Sequence, residues 1–437
     1  MFKAISNIFR VKDLRRKIIF TLMMLVVFRI GSFIPVPGTN SAALDEMFKG
    51  ATAFGFLDSF GGGALSNFSI FAMGIMPYIT ASIVVQLLQL DVVPKFAEWA
   101  KQGEAGRKKL TQVTRYGTIV LGFIQAIAMS IGFNTMSSAN STGEPLLLNT
   151  NVTTFLTIAL VLTAGTAFLM WLGEQITAYG VGNGISLLIF AGIAAGVPGM
   201  LKQLYVSQLE GAGDQLFLRV VTVALLALVV LLIIIGVIYV QQALRKIPVQ
   251  YAKRVANRQT MGGQSTHLPI KVNAAGVIPV IFASALFYFP STIASFVGQE
   301  NDIAKWIIAN FEPGKWIGGT VFVALIIAFT YFYTFVQVNP EKMAENLQKQ
   351  GGYIPGIRPG QATQTFITKI LYRLTFVGAL FLATIATIPV VFIAVMNLPS
   401  AVQIGGTGLL IIVGVALDTM KQIEGQLIKR SYKGFMK

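Results

Sequence analysis

Polar positions are sparse in this chain, and they fall between long apolar runs. Ten such runs lie at roughly 18–36, 69–90, 113–133, 152–172, 184–202, 216–240, 274–296, 317–337, 370–392 and 403–422. Each is near the length that a helix rising about 1.5 Å per residue needs to cross a bilayer. The runs are continuous and do not alternate, which excludes a β-barrel. The pattern predicts an all-α polytopic membrane protein with ten transmembrane helices. The fifth run is Gly-rich and holds Pro198.

The stretch before the second run breaks the pattern. Residues 55–67, GFLDSFGGGALSN, are Gly-rich, carry Asp58 and are too short and broken to span. They are either a loop outside the membrane or a half-span. A half-span is tolerated at membrane depth only where it is buried in protein or lines an aqueous cavity. The second reading predicts a pore or a midplane site.

Charge tests the span count. Of the 34 lysines and arginines, 28 fall on the side that holds both termini and five on the other, with Arg29 inside the first run. A missed or spurious helix would scramble that asymmetry, which by the positive-inside rule makes both termini cytosolic. The net charge of +16 therefore sits on one face. The start, MFKAISNIFRVKDLRRK followed by IIFTLMMLVVF, is similar to a signal sequence. Its long apolar run and missing cleavage site make it a retained first helix.

Two loops on the basic side, 242–272 and 338–369, are longer than topology requires. The first has six basic residues and no acid, and its β-branched runs flank a Gly-Gly turn, so it predicts a protruding hairpin. The second contains KQGGYIPGIRPG, whose Gly and Pro predict a rigid shaped loop carrying Arg358. Such loops are either ordinary connections or docking surfaces for anionic lipid, RNA or an acidic protein face.

The chain also echoes itself. FAMGIMPYI at 71–79 and NAAGVIPVI at 273–281 superpose Gly74 on Gly276, Pro77 on Pro279 and Ile79 on Ile281. NGISLLI at 183–189 and GGTGLLI at 405–411 superpose Ile189 on Ile411. Both pairs are five runs apart, which predicts two inverted five-helix halves, 1–202 and 203–437, related by an axis in the membrane plane.

Composition removes several function classes. The chain of 437 residues is 54% hydrophobic and 12% charged, and it has no cysteine, hence no disulfide or thiol chemistry. A single histidine, His267 in a polar loop, excludes multi-histidine metal sites, and no cofactor is expected. No GxxxxGK[ST] or HExxH occurs, so ATP hydrolysis by a P-loop is not expected. An intramembrane hydrolase lacks a nucleophile–base set; the chain is not read as an enzyme. A secondary transporter of small solutes is the alternative the inverted echo allows, but the interiors of the second, fifth, seventh and tenth runs show no acid of the kind ion coupling uses. Glu174 ends the fourth run, and Arg29 either snorkels or hydrogen-bonds to nearby carbonyls. Ile75 and Ile79 share one helical face, as do Ile185 and Ile189. They are packing residues or a hydrophobic constriction that excludes water and ions without a charged filter.

At these residues the sequence resembles the SecY family of protein-conducting channels. The resemblance is carried by FRIGSFIPVPG at 28–38, FGGGALSNFSIFAMGIMPYI at 60–79, FLMWLGEQIT at 168–177, GVGNGIS at 180–186, QSTHLPIKVNAAGVIP at 264–279, GGYIPGIRPG at 351–360 and YRLTFVGA at 372–379. The stretches 134–151, 203–215 and 297–316 carry little of it and are expected to be outer loops. The resemblance implies an hourglass pore between the two halves in the bacterial cytoplasmic membrane. It opens vertically for unfolded secretory chains and sideways for signal peptides and membrane segments. It also implies a waist lined by Ile75, Ile79, Ile185, Ile189, Ile281 and Ile411, and a plug at 55–67 that includes Phe60, Gly61, Gly62, Gly63, Ala64 and Leu65. Thr80 and Phe289 would lie at the lateral gate. Arg245, Lys246, Lys253, Arg254, Arg258 and Arg358 would dock the SecA motor ATPase or the ribosome. The implied partners are the small SecE and SecG subunits, SecA, the ribosome, the signal-recognition-particle receptor and the lipid bilayer.

Overall fold

The computed structural model describes residues 11–39, 58, 61–89, 93–139, 147, 150–210, 216–251, 254–256, 259–261, 265–297, 301–312, 314–396 and 400–434. The chain folds as helices α1 (Lys12–Gly31), α2 (Met76–Leu88), α3 (Pro94–Lys101), α4 (Glu104–Ala139), α5 (Val152–Tyr179), α6 (Gly184–Gln208) and α7 (Leu216–Gln242). Strands β1 (Leu244–Tyr251), β2 (Arg254–Ala256), β3 (Gln259–Met261) and β4 (Ser265–Lys271) follow. After them come α8 (Ile278–Val297), α9 (Asp302–Asn310), α10 (Trp316–Gln337), α11 (Pro340–Lys349), β5 (Gly352–Tyr353), α12 (Gln361–Met396) and α13 (Ser400–Gly434). Among the described residues, six helices are long and apolar enough to cross a membrane: α4 to α7, α10 and α12. The shorter α2 and α8 are also apolar. The chain is thus a multi-pass helical membrane protein.

Side-chain hydroxyls inside these helices are satisfied locally. Thr118, Ser130, Thr163, Thr330 and Thr334 each donate to the carbonyl four residues back, at 2.6–2.7 Å. In an apolar surround, an unpaired hydroxyl would be costly. Two helix starts are capped by Asn side chains: Asn183 accepts from the backbone of Ile185 and Ser186, and Asn339 from that of Lys342.

The second run differs from its expectation. Helix begins only at Met76, and residues 61–75 form successive turns. Thirteen residues rise about 20 Å, short of a hydrocarbon core about 30 Å thick. Two local causes set the boundary: Gly74 has φ +54°, a left-handed conformation, and Pro77 occupies the first helical turn, where a missing N–H costs nothing. The presumed outer loops also shorten. Helix α4 runs on to Ala139, α6 to Gln208, and α9 fills part of 297–316.

Helix packing is organised in parallel in the two parts of the chain. Helix α4 packs on α2 and α5, and α5 on α6. Likewise α10 packs on α8 and α12, and α12 on α13. The two parts meet where α6 lies on α13 and where α8 lies on α2 and α4.

The two long basic-side loops join as one folded body. Strand β1 lies between β4 and β5 in an antiparallel sheet, with Ile247 opposite Leu268 and Pro248 opposite His267. β2 and β3 pair as a second, two-stranded ribbon between β1 and β4. His267 therefore sits in a strand, exposed, and not in a loop. Ile247, Val249 and Ile270 from the sheet pack with Leu347 of α11, Ile354, and Ile367 and Leu371 of α12. This small core explains why α12 starts nine residues before the apolar run: its first turns are amphipathic and cover the sheet.

Candidate functional site

The site is built from an apolar cluster at the meeting of α2, α6, α8 and α13. Ile79, Ile189, Ile281 and Ile411 come from these four helices, and Ile75 caps α2. All five are at most 6% exposed and belong to one cluster of packed side chains. Ile185 is half-buried against the same cluster. It leans on α5, because any Cβ at Gly173 would collide with its Cδ1. The six isoleucines predicted to share a site are therefore brought together. The echoed segments also share their backbone: Gly74 and Gly276 both have positive φ, +54° and +67°, and Ile79 and Ile281 are equally buried.

The Gly-rich stretch is inside the protein. Gly61, Gly62, Ala64 and Leu65 are buried and Gly63 is half-buried. Ala64 joins the cluster of the isoleucines, whereas Leu65 packs with Phe68, Phe133 and Leu162. The Asp58 carboxylate accepts from the backbone N–H groups of Leu65 and Ser66 at 2.9 and 3.0 Å, closing the segment on itself. Gly62 has φ +67°, which favours glycine, and a Cβ there would press to 3.0 Å from the Cα of Gly192 on α6. Arg29 of α1 donates to the carbonyl oxygen of Gly62 and stacks 4.7 Å from the Phe33 ring. Of the two expectations for Arg29, bonding to a carbonyl is the observed one. Past the segment, the backbone N–H of Ile70 donates to the Ile34 carbonyl and that of Val36 to the Phe68 carbonyl, anchoring it to the end of α1. Phe60, in the expected plug, lies outside the described residues.

A cleft of about 150 Å³ opens beside this cluster, between α2, α4 and α8. Thr80 and Phe289 both line it, with Met76, Met129 and Tyr288. Leu65 forms part of its wall, so the cleft and the Gly-rich segment touch.

The basic loops carry the remaining candidates. Arg245, Lys246 and Arg358 are exposed, and the Arg358 carbonyl accepts from Thr363 Oγ1 at 2.9 Å, bracing the loop at the start of α12. Arg254 lies in β2. Lys253 and Arg258 lie outside the described residues. On the neighbouring α11, Lys349 sits 2.6 Å from Glu345 and holds that carboxyl below the usual carboxylate range.

Two contacts escaped the sequence. Arg115 on α4 grips Glu174 on α5 through two hydrogen bonds of 2.8 and 2.6 Å; 59 residues separate them, so no local pattern reveals the pair. Asp418, near the end of the tenth run, lies beside Gly276 at the start of α8. Among the described residues no group of acids and histidine is arranged to hold a metal ion.

A SecY family model matches residues 69–420. The chain is 71% identical to the protein translocase subunit SecY of Halalkalibacterium halodurans and 63% identical to that of Bacillus subtilis, each over the full length of both chains. Among solved structures it is similar to a protein-conducting channel at TM-score 0.64 and 20% identity, covering 95% of this chain and 93% of that one. It is also similar to Sec61 in a canine ribosome–channel complex from the endoplasmic reticulum. There the TM-score is 0.59 and the identity 18%, with 95% and 93% covered.

Proposed function

The chain belongs to the SecY family, and from that premise we propose that it is the pore-forming subunit of a protein translocase. It moves unfolded polypeptides across the bacterial cytoplasmic membrane and releases membrane segments sideways into lipid. Ten helices cross the bilayer in two inverted halves, 1–202 and 203–437, with both termini cytosolic and an hourglass pore between them. The parallel packing of α2–α4–α5–α6 and α8–α10–α12–α13 supports the halves. The positive-inside count supports the orientation.

The observation that carries the reading is the single apolar cluster to which α2, α6, α8 and α13 each send an isoleucine, with Ala64 of the plug packed into it. A translocating chain presents every kind of side chain, so its channel cannot depend on specific ligands. An aliphatic collar meets that need: apolar contact is non-directional, it yields to any chain, and it dewets when empty. The plug seals the outer funnel, and the cleft lined by Thr80 and Phe289 is the seam for lateral exit.

The chain supplies no catalysis. Force comes from SecA or from translation at the ribosome, which dock on Arg245, Lys246, Lys253, Arg254, Arg258 and Arg358, with the signal-recognition-particle receptor delivering clients. SecE and SecG complete the membrane complex. The transporter alternative gains no support from the translocase relatives. Planar-bilayer conductance tests the reading: Gly or Ser at several of the six isoleucines, or deletion of 57–66, raises ion leak. Unchanged conductance in every such variant overturns it.

A further inference from the structure

Helix α9 connects the far end of α8 to the start of α10, at the end of the bundle opposite the basic loops. Its nine residues, DIAKWIIAN, present three different sides. Ala304 is buried and marks the side packed on α8. Asp302 and Lys305 turn away from it, exposed, with 3.9 Å between the ammonium and the carboxylate. Ile303 and Trp306, three residues apart, share the side between these two. Ile303 is 70% and Trp306 52% exposed, so nothing among the described residues covers that side. From α9 the chain passes directly into a membrane-crossing helix. A Cβ at Gly318 of α10 would lie 2.2 Å from the carbonyl oxygen of Glu312, so the first turn of α10 sits against the residues that end α9. That turn opens on Trp316, 89% exposed, at the level where α10 enters the bilayer. The other end of the contact is fixed inside the protein. Phe311, just after α9, stacks on Phe287 of α8 with ring centroids 5.5 Å apart, and its carbonyl accepts from Ser291 Oγ at 3.2 Å. Phe287 is fully buried in the cluster of the isoleucines, and its neighbours Tyr288 and Phe289 line the cleft.

We propose that α9 lies in the plane of the membrane surface opposite the basic loops, with Ile303 and Trp306 inserted at headgroup depth, and that it ties the far end of α8 to the bilayer. A helix with a protein-packed side, an apolar uncovered side and a charged side meets all three needs only where protein, lipid and water join. The partner is a lipid surface and not another protein, because α9 leads straight into the lipid-facing start of α10 and both carry an exposed tryptophan, the residue favoured at membrane interfaces. Asp302 offsets Lys305, so the charged side selects no headgroup charge. The inference is independent of how the pore works and rests only on α10 crossing the membrane.

Spin labels on α9 of the full-length chain, reconstituted in dioleoyl phosphatidylcholine vesicles, test it. The chain has no cysteine, so I303C, W306C and K305C each give a single attachment point. Collision of the label with oxygen, which concentrates in lipid, is compared with collision with a water-soluble nickel chelate. The oxygen-to-nickel ratio is severalfold higher at 303 and 306 than at 305. Equal ratios at all three positions overturn the proposal, because α9 then stands in water. Shielding of 303 and 306 from both reagents also overturns it, because a protein surface then covers them. The native Trp306 gives a second readout without any change on α9. In W99F/W171F/W316F the remaining tryptophan is quenched more by phosphatidylcholine brominated near the headgroup than by phosphatidylcholine brominated near the chain ends. No quenching by either lipid, or stronger quenching from the chain ends, contradicts the in-plane placement. Insertion that requires added phosphatidylglycerol contradicts the neutral character of the contact.

Discussion

Arg29 on α1 donates a hydrogen bond to the carbonyl oxygen of Gly62 in the plug segment. A guanidinium in an apolar helix is expensive, and such groups persist where they have a defined partner. Here the partner belongs to the segment proposed as the plug, and under that reading the bond is a latch. A hydrogen bond to a charged group contributes about 1.5–3 kcal/mol, or roughly 10- to 100-fold in an equilibrium between seated and released plug. Arg29→Gln is therefore expected to raise resting ion conductance in planar bilayers. If the variant is as tight as wild type, the latch is not what holds the plug.

Gly62 and Gly63 separate two effects of glycine. Both have positive φ, +67° and +84°, but only Gly62 faces the backbone of Gly192, while a Cβ on Gly63 meets nothing closer than 3.8 Å. Each alanine substitution costs about 1–2 kcal/mol in backbone conformation, and Gly62→Ala adds a tight contact with the Cα of Gly192. Resting leak is expected to rise more in Gly62→Ala than in Gly63→Ala. Equal leak in the two would mean that the fit against α6 is irrelevant to the seal.

The Arg115–Glu174 pair joins α4 to α5. Its side chains are 46% and 24% exposed, so solvent screens it, and a coupling of about 1 kcal/mol is expected in spite of the two-pronged geometry. A double-mutant cycle with Arg115→Gln and Glu174→Gln, read by thermal unfolding in detergent, measures it. A coupling of zero would leave the helix contact to packing alone.

Arg358 is exposed on a loop braced through its backbone carbonyl, and its side chain is in no ion pair among the described residues. Arg358→Glu is expected to assemble in the membrane at wild-type levels and to impair motor-driven translocation severely. Normal translocation by that variant would remove the docking role.

Much of this was legible in the sequence, for identifiable reasons. Long apolar runs have one stable solution in lipid, a hydrogen-bonded helix, so the positions of the helices followed from hydropathy. The start of α2 was harder to read. The residues before Met76 are as apolar as those after it, and only the left-handed turn at Gly74 and the proline in the first helical turn, Pro77, divide them. The hairpin at 244–271 was signalled by its β-branched runs. Its union with 338–369 was not, because Val249 and Leu347 touch across about a hundred residues of intervening chain. The isoleucines of α2 and α8 were pointed to by the echo, and their burial together agrees with it. Arg29 was visible as an anomaly, but its acceptor is a backbone carbonyl, which no side-chain pattern marks.

The central claim is that a translocating polypeptide passes through the aliphatic cluster between α2 and α8. The chain has no cysteine, so single cysteines can be introduced without background. A secretory chain stalled during transit, carrying a thiol-reactive group, is to be tested against Ile79→Cys, Ile281→Cys and Val377→Cys, the last on the outer side of α12 and 55% exposed. The account predicts adducts at positions 79 and 281 and none at 377. Adducts at 377 with positions 79 and 281 unlabelled would contradict it.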